Sequence, residues 1–220
     1  MTTFKALESS KTDNGNKLSI VEKSIDDLPE GEILVKVNYS SLNYKDALSA
    51  SGAPGVTRNY PHTPGIDAAG VIAESSDNSF KEGDSVIVTG YDLGMDTAGG
   101  FGEYIRVPAS WVIQLPKGLS ESDSMALGTA GLTAGLSVQA LNDHNSHEGF
   151  EGLNTVVTGA TGGVGSIAVM LLSKLGAAVT AVTGKDAQKE LLQNLGASEV
   201  LSREELTEMC RTPIGKTIWD

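Results

Sequence analysis

Short apolar and β-branched runs, interrupted every few positions by glycine or proline, fill the first half of the chain. Glu32–Tyr39, Ala69–Ala73, Ser85–Thr89, Tyr104–Val107 and Trp111–Leu115 read as strands, the first with partial alternation of apolar and polar positions. Short strands at this spacing predict a small antiparallel barrel or sandwich. Near Ser120 the pattern changes. From Glu121 to Leu141, the apolar positions Met125, Leu127, Leu132, Leu136, Val138 and Leu141 lie among alanines without a proline. That spacing predicts a helical stretch, broken near Gly128-Thr129-Ala130-Gly131. His144 to Gly152 is polar and reads as a loop.

Beyond it the chain alternates between strand-like and helix-like runs. Thr155–Thr158 and Ala178–Thr183 are apolar strands, and Glu199–Leu201 is a short third one. Between them lie a helix opened by Gly162 and stopped at Gly176, and a second over Ala187–Leu195, capped by Asp186 and stopped at Gly196. A βαβαβ order implies a parallel sheet. The expected organisation is thus a β-rich domain over residues 1–120 and an α/β domain over 121–220.

Composition narrows the class. With 40% hydrophobic and 20% charged residues, the chain can bury cores and is not a disordered segment. A net charge of -12, without a basic patch, excludes the phosphate-neutralising surface that nucleic acid requires. The most apolar stretch, Val164–Val182, contains Lys174, Gly165 and Gly176 and does not read as a membrane span. The first ten residues lack the apolar core of a secretory signal. The single cysteine, Cys210, excludes an internal disulfide and fits a reducing compartment, so a cytoplasmic protein is expected.

Candidate chemistry centres on Thr158-Gly159-Ala160-Thr161-Gly162-Gly163-Val164-Gly165, between the first strand of the α/β half and its helix. A tight turn there brings backbone N–H groups and a helix N-terminus to a dinucleotide pyrophosphate. Ala160-x-Gly162-x-x-Gly165 matches the dinucleotide fingerprint, with alanine in its first position. Gly162 would let phosphate approach the backbone, and Gly165 would let helix and strand pack closely; the alternative is a purely structural turn. At the end of the next strand, where an acid would bind the ribose 2′-hydroxyl of NAD, stand Thr183-Gly184-Lys185. A hydroxyl and a cation suit a 2′-phosphate and favour NADPH, against the reading of Lys185 as a solvated charge.

Three further blocks precede this turn: Ser40-Ser41-Leu42-Asn43-Tyr44-Lys45-Asp46-Ala47-Leu48, Pro64-Gly65-Ile66-Asp67-Ala68-Ala69-Gly70 and Gly128-Thr129-Ala130-Gly131-Leu132-Thr133-Ala134. In this order the sequence resembles the medium-chain dehydrogenase/reductase superfamily, in particular the zinc-free quinone oxidoreductase branch that includes NADPH-dependent acryloyl-CoA reductases. The resemblance implies a GroES-like catalytic domain followed by a Rossmann cofactor domain, with the active site between them. It implies that Tyr44 approaches the nicotinamide and that Thr161, Gly162, Gly163 and Val164 hold the pyrophosphate. Thr183, Gly184 and Lys185 would surround the 2′-phosphate. Arg203, otherwise read as a solvated charge, would add a second cation. It also implies a homodimer and a six-stranded cofactor sheet, of which only three strands are predicted here, so a C-terminally truncated form is expected.

Zinc-dependent relatives carry Gly-His-Glu where this chain has Gly65-Ile66-Asp67, and they use cysteine ligands. His62, His144 and His147 have no partner at metal spacing. No metal is expected. Without one, the natural reaction is hydride delivery from NADPH to a small molecule whose electrophilic carbon is conjugated to a carbonyl. Negative charge on the carbonyl oxygen needs a donor, and Asn43 and Tyr44 are the neutral candidates. Asp67, the third candidate catalytic residue, holds Asn43 or a water, or accepts backbone amides in a turn. The bland reading of Lys45 and Asp46 is a surface or capping role. The competing function is nucleotide binding without turnover, as in a crystallin-like or truncated relic.

Overall fold

The computed structural model describes residues 2–145, 149–209, 211 and 219. His147 and Cys210 lie outside the described residues. Backbone contacts divide the chain into two compact units, Met1–Thr129 and Ala130–Asp220.

The first unit opens with a hairpin of β1 (Thr3–Thr12) and β2 (Gly15–Ser24), joined by the turn Asp13-Asn14, with Gly15 at φ 101°. There follow β3 (Ile33–Tyr39), helix α1 (Tyr44–Ser51), β4 (Asp67–Ser75), β5 (Ser85–Thr89), β6 (Tyr104–Val107) and β7 (Val112–Gln114). The last five strands form one antiparallel sheet in the order β6-β3-β4-β5-β7. Ile33, Val35, Ala68, Ile72, Val86, Val88, Ile105 and Val107 close over one another as its core. Burial of such side chains contributes roughly 1.5–3 kcal/mol each for the larger ones. The strands expected from the sequence are present, Ser85–Thr89 and Tyr104–Val107 with the expected ends and the others with shifted ones. The hairpin and α1 are additions.

Helix α2 (Glu121–His144) carries a non-helical residue, Gly128, at φ 49° and ψ −152°, within the expected break. The second unit holds β8 (Asn154–Thr158), α3 (Gly163–Lys174), β9 (Ala178–Thr183), α4 (Lys189–Asn194), β10 (Glu199–Ser202) and α5 (Arg203–Met209). Its three described strands are parallel, in the order β10-β9-β8. Val169, Leu172, Val179, Ala181 and Leu192 form the core between sheet and helices. Asp186 does not cap the expected helix. It lies in a 3-10 turn, Asp186–Gln188, paired with Lys189 at 3.2 Å, and α4 begins only after that turn. No described helix is long and apolar enough to cross a membrane.

Candidate functional site

Two clusters gather the candidate residues, one in each unit. The first forms where β4 begins. Asp67 is fully buried, and its carboxylate faces four donors. Oδ2 accepts from Ser41 Oγ, from Asn43 Nδ2 at 2.8 Å and from the Thr129 backbone N–H at 2.9 Å. Oδ1 accepts from Thr129 Oγ1 at 2.7 Å. An ionised carboxylate is acceptor-only, so an arrangement of donors alone satisfies it. Ser40 Oγ donates to the Asp67 carbonyl at 2.7 Å and extends the same seam.

Asp46 ties the next residues down. Its Oδ2 accepts from the Asn43 N–H at 2.7 Å, capping α1, and its Oδ1 accepts from the Ile66 N–H at 2.9 Å. The residue is therefore a buried bridge between α1 and the approach to β4 rather than a surface group. Burial holds its carboxyl above the ordinary aspartate value; the two backbone N–H groups oppose that shift and the charge of Asp67 adds to it. Lys45 is exposed.

These bonds decide what Asn43 offers. Its Nδ2 donates to both Asp67 Oδ2 and Ser41 Oγ, the latter at 3.1 Å. The acceptor-only carboxylate fixes which end of the amide faces it. The Asn43 amide, an expected donor to a developing oxyanion, is thus turned toward Asp67. Tyr44, at the first position of α1, is 81% exposed and keeps its phenol outside the network. Ser41, Gly128 and Thr129 were not singled out for a role by sequence reasoning. Their signal was the pair of blocks that contain them, which gives proximity only once β4 is in place.

The second cluster surrounds the glycine turn. The residue that needs left-handed backbone is Gly159, at φ 62°, one position before the fingerprint's first site. Alanine is accommodated at that site: Ala160 is fully buried and donates its N–H to the Val182 carbonyl at 3.2 Å. Gly165 leaves no room for a side chain, since a Cβ would lie 2.8 Å from Ala160 Cα and closer still to the Gly159 carbonyl. Gly162 precedes α3 without any side-chain cap. The first N–H groups of the helix thus lack a side-chain partner at an exposed turn, the ordinary setting for an anion.

The end of β9 meets this turn. Thr161 Oγ1 lies 3.3 Å from Thr183 Oγ1, which also accepts the Lys185 N–H at 3.0 Å. Arg203 lies across Gly184: a Cβ there would stand 3.2 Å from Arg203 Nε. Gly184, Lys185 and Arg203 are all exposed. Hence Thr161, Thr183, Gly184 and Arg203 are brought together, with Lys185 adjoining, and Thr183-Gly184-Lys185 itself carries no carboxylate. A cavity of about 470 Å³ lies between β8 and this turn, lined by Val156, Gly159, Gly162, Val164, Gly165 and Leu172 among others. Among the described residues, no group of three or more His, Cys, Asp or Glu side chains is placed to hold a metal.

The chain is similar in sequence and fold to known proteins. Residues 29–117 match the alcohol dehydrogenase GroES-like domain. Over 98% of its length the chain is 43% identical to an acrylyl-CoA reductase of Ruegeria pomeroyi, and it spans 66% of that protein. Over 99% of its length it is 44% identical to a putative quinone oxidoreductase of Bacillus subtilis, again spanning 66%. The chain belongs to the medium-chain dehydrogenase/reductases. A Bacillus subtilis structure with NAD bound superposes on this medium-chain relative with a TM-score of 0.92 at 43% identity, covering 100% of the chain and 66% of the structure. An oxidoreductase of Salmonella enterica in complex with NADP gives 0.90 at 41% identity, covering 98% and 65%. The chain thus spans just under two thirds of the relatives it matches, and its fold is the GroES-like domain followed by a Rossmann-like parallel sheet.

Proposed function

We propose that this protein is an NADPH-dependent, zinc-independent reductase of α,β-unsaturated carbonyl compounds: acyl thioesters such as acryloyl-CoA, enones or quinones. The observation that carries the reading is the anion setting at the end of β9. There the Arg203 guanidinium covers Gly184, Lys185 adjoins, and the Thr161 hydroxyl lies beside that of the buried Thr183. Cations and hydroxyls at that point fit a 2′-phosphate and leave a bare 2′-hydroxyl without the acid it prefers. Gly162, Gly163, Val164 and Thr161 fit the pyrophosphate, because the turn is open in front of the helix N-terminus and closed behind it at Gly165.

Bound NADPH supplies a hydride. The chain's own groups do the rest. As hydride arrives at the β-carbon, the electron pair moves to the carbonyl oxygen, and an O–H donor there stabilises the charge. With Asn43 turned inward, the Tyr44 phenol takes that part, and solvent returns a proton to the α-carbon. In this reading residues 1–120 carry the catalysis and residues 121–220 hold the cofactor. The names of the relatives support a small-molecule substrate; a homodimer and a cytoplasmic home belong to the same proposal.

The test is a fluorescence titration with NADPH and with NADH, followed by addition of acryloyl-CoA, a simple enone or a quinone. Tighter binding of NADPH and substrate-dependent loss of its absorbance are expected. Binding without oxidation across all three classes would favour a nucleotide-binding protein without turnover.

A further inference from the structure

The segment that precedes α1 alternates in a way the fold does not need. Ser41 and Asn43 turn inward to Asp67, whereas Leu42 is 89% and Tyr44 81% exposed. Asn43 is extended, at φ −122° and ψ 154°, so the side chains on either side of it project to one side, as in a strand. A leucine this exposed contributes little to stability, and an exposed leucine alone needs no explanation. Here it sits two residues from the candidate phenol, on a backbone fastened at both neighbours to one buried carboxylate.

We propose that Leu42 is a substrate-contacting residue that meets the unsaturated carbon chain beside the carbonyl, and that Asp67 is the positioning residue that presents Leu42 and Tyr44 together. This rests on the reductase reading above. Residues two apart along an extended segment stand roughly 6–7 Å apart, close enough for one small substrate to meet both side chains. Asp67 itself touches neither substrate nor cofactor in this scheme. It acts through Ser41 and Asn43 on one side and through Thr129 on the other, so segments 41–46 and 128–129 share one anchor.

Two readouts separate the parts of the claim. In turnover, Leu42→Ala should raise KM for the conjugated substrate about tenfold while NADPH affinity and the unfolding midpoint stay put, since only an apolar contact is removed. Asp67→Asn should lower kcat about a hundredfold by misplacing Tyr44, with NADPH binding within about twofold. The second readout is hydrogen exchange, which needs no substrate. In Asp67→Asn, amides of residues 43–47 and of 129–131 should lose protection together, by about tenfold. If that variant does not fold, Thr129→Val retains the carboxylate and should still loosen residues 43–47, more than eighty positions away in sequence. An unchanged KM in Leu42→Ala, a wild-type kcat in Asp67→Asn, or loosening confined to one segment overturns the proposal. Failure of the wild-type protein to reduce any conjugated carbonyl sinks the reductase reading and the Leu42 contact that rests on it. The shared anchor is then still judged by exchange.

Discussion

At Gly128 the backbone occupies a region reserved for glycine, and an added methyl would stand 2.7 Å from Ser41 Oγ and 2.8 Å from Asp67 Oδ2. Gly128→Ala should therefore cost about 2–4 kcal/mol, backbone strain and overpacking together, read as a lowered urea midpoint. His62 makes a different prediction. It is 5% exposed with Nε2 buried and unpartnered, and burial holds its imidazole below the ordinary value of 6.5, against the pull of Asp92 and Asp96. The unfolded chain then takes up the proton first. The stability associated with His62 is complete above pH 6.5 and declines as pH falls through that value towards the lower folded one. Denaturant midpoints of the wild type and His62→Gln, measured on both sides of that pH, should converge in slope above it and diverge below, the wild type losing more.

Among the elements, the junction of β9, the glycine turn and α5 carries the nucleotide prediction. The double change Lys185→Ala, Arg203→Ala should weaken NADPH binding by about 2–4 kcal/mol, at roughly 1.5–3 kcal/mol per charge-assisted contact, and leave NADH nearly unaffected. Equal losses for both nucleotides would remove the 2′-phosphate assignment. The βαβ order was legible in the sequence because apolar strands and glycine stops repeat there. The strands of the first half were legible because glycine and proline bound them. The β1–β2 hairpin is not legible because β2 is largely exposed and has little apolar pattern, although Asp13-Asn14-Gly15 carries turn residues. Helix α1 is only eight residues long, too short for a period, and its signs were the Asn43–Asp46 cap and Gly52 at φ 76°. Asp67 was legible as a candidate but not as a hub. Its partners lie 24, 26 and 62 positions away, and nothing local in the sequence announces such distances.

For the molecule as a whole, the absence of a metal requirement is a prediction to be checked by elemental analysis and by assays with and without chelator. Unchanged activity and substoichiometric zinc are expected; stoichiometric zinc that supports turnover would reverse the assignment. The hub also bears on which sequences this fold can explore. Ser41, Asn43 and Thr129 converge on one carboxylate, so removing any of them redistributes the others around a charge that must stay solvated by donors. The double variant Ser41→Ala, Thr129→Val should depart from the sum of its single losses by about 0.5–3 kcal/mol in a double-mutant cycle. Drift at these sites is then epistatic. A substitution tolerated at residue 129 in one descendant is harmful in another that has already changed residue 41, so the cluster evolves as a linked set while the exposed Leu42 beside it is free to vary with the substrate.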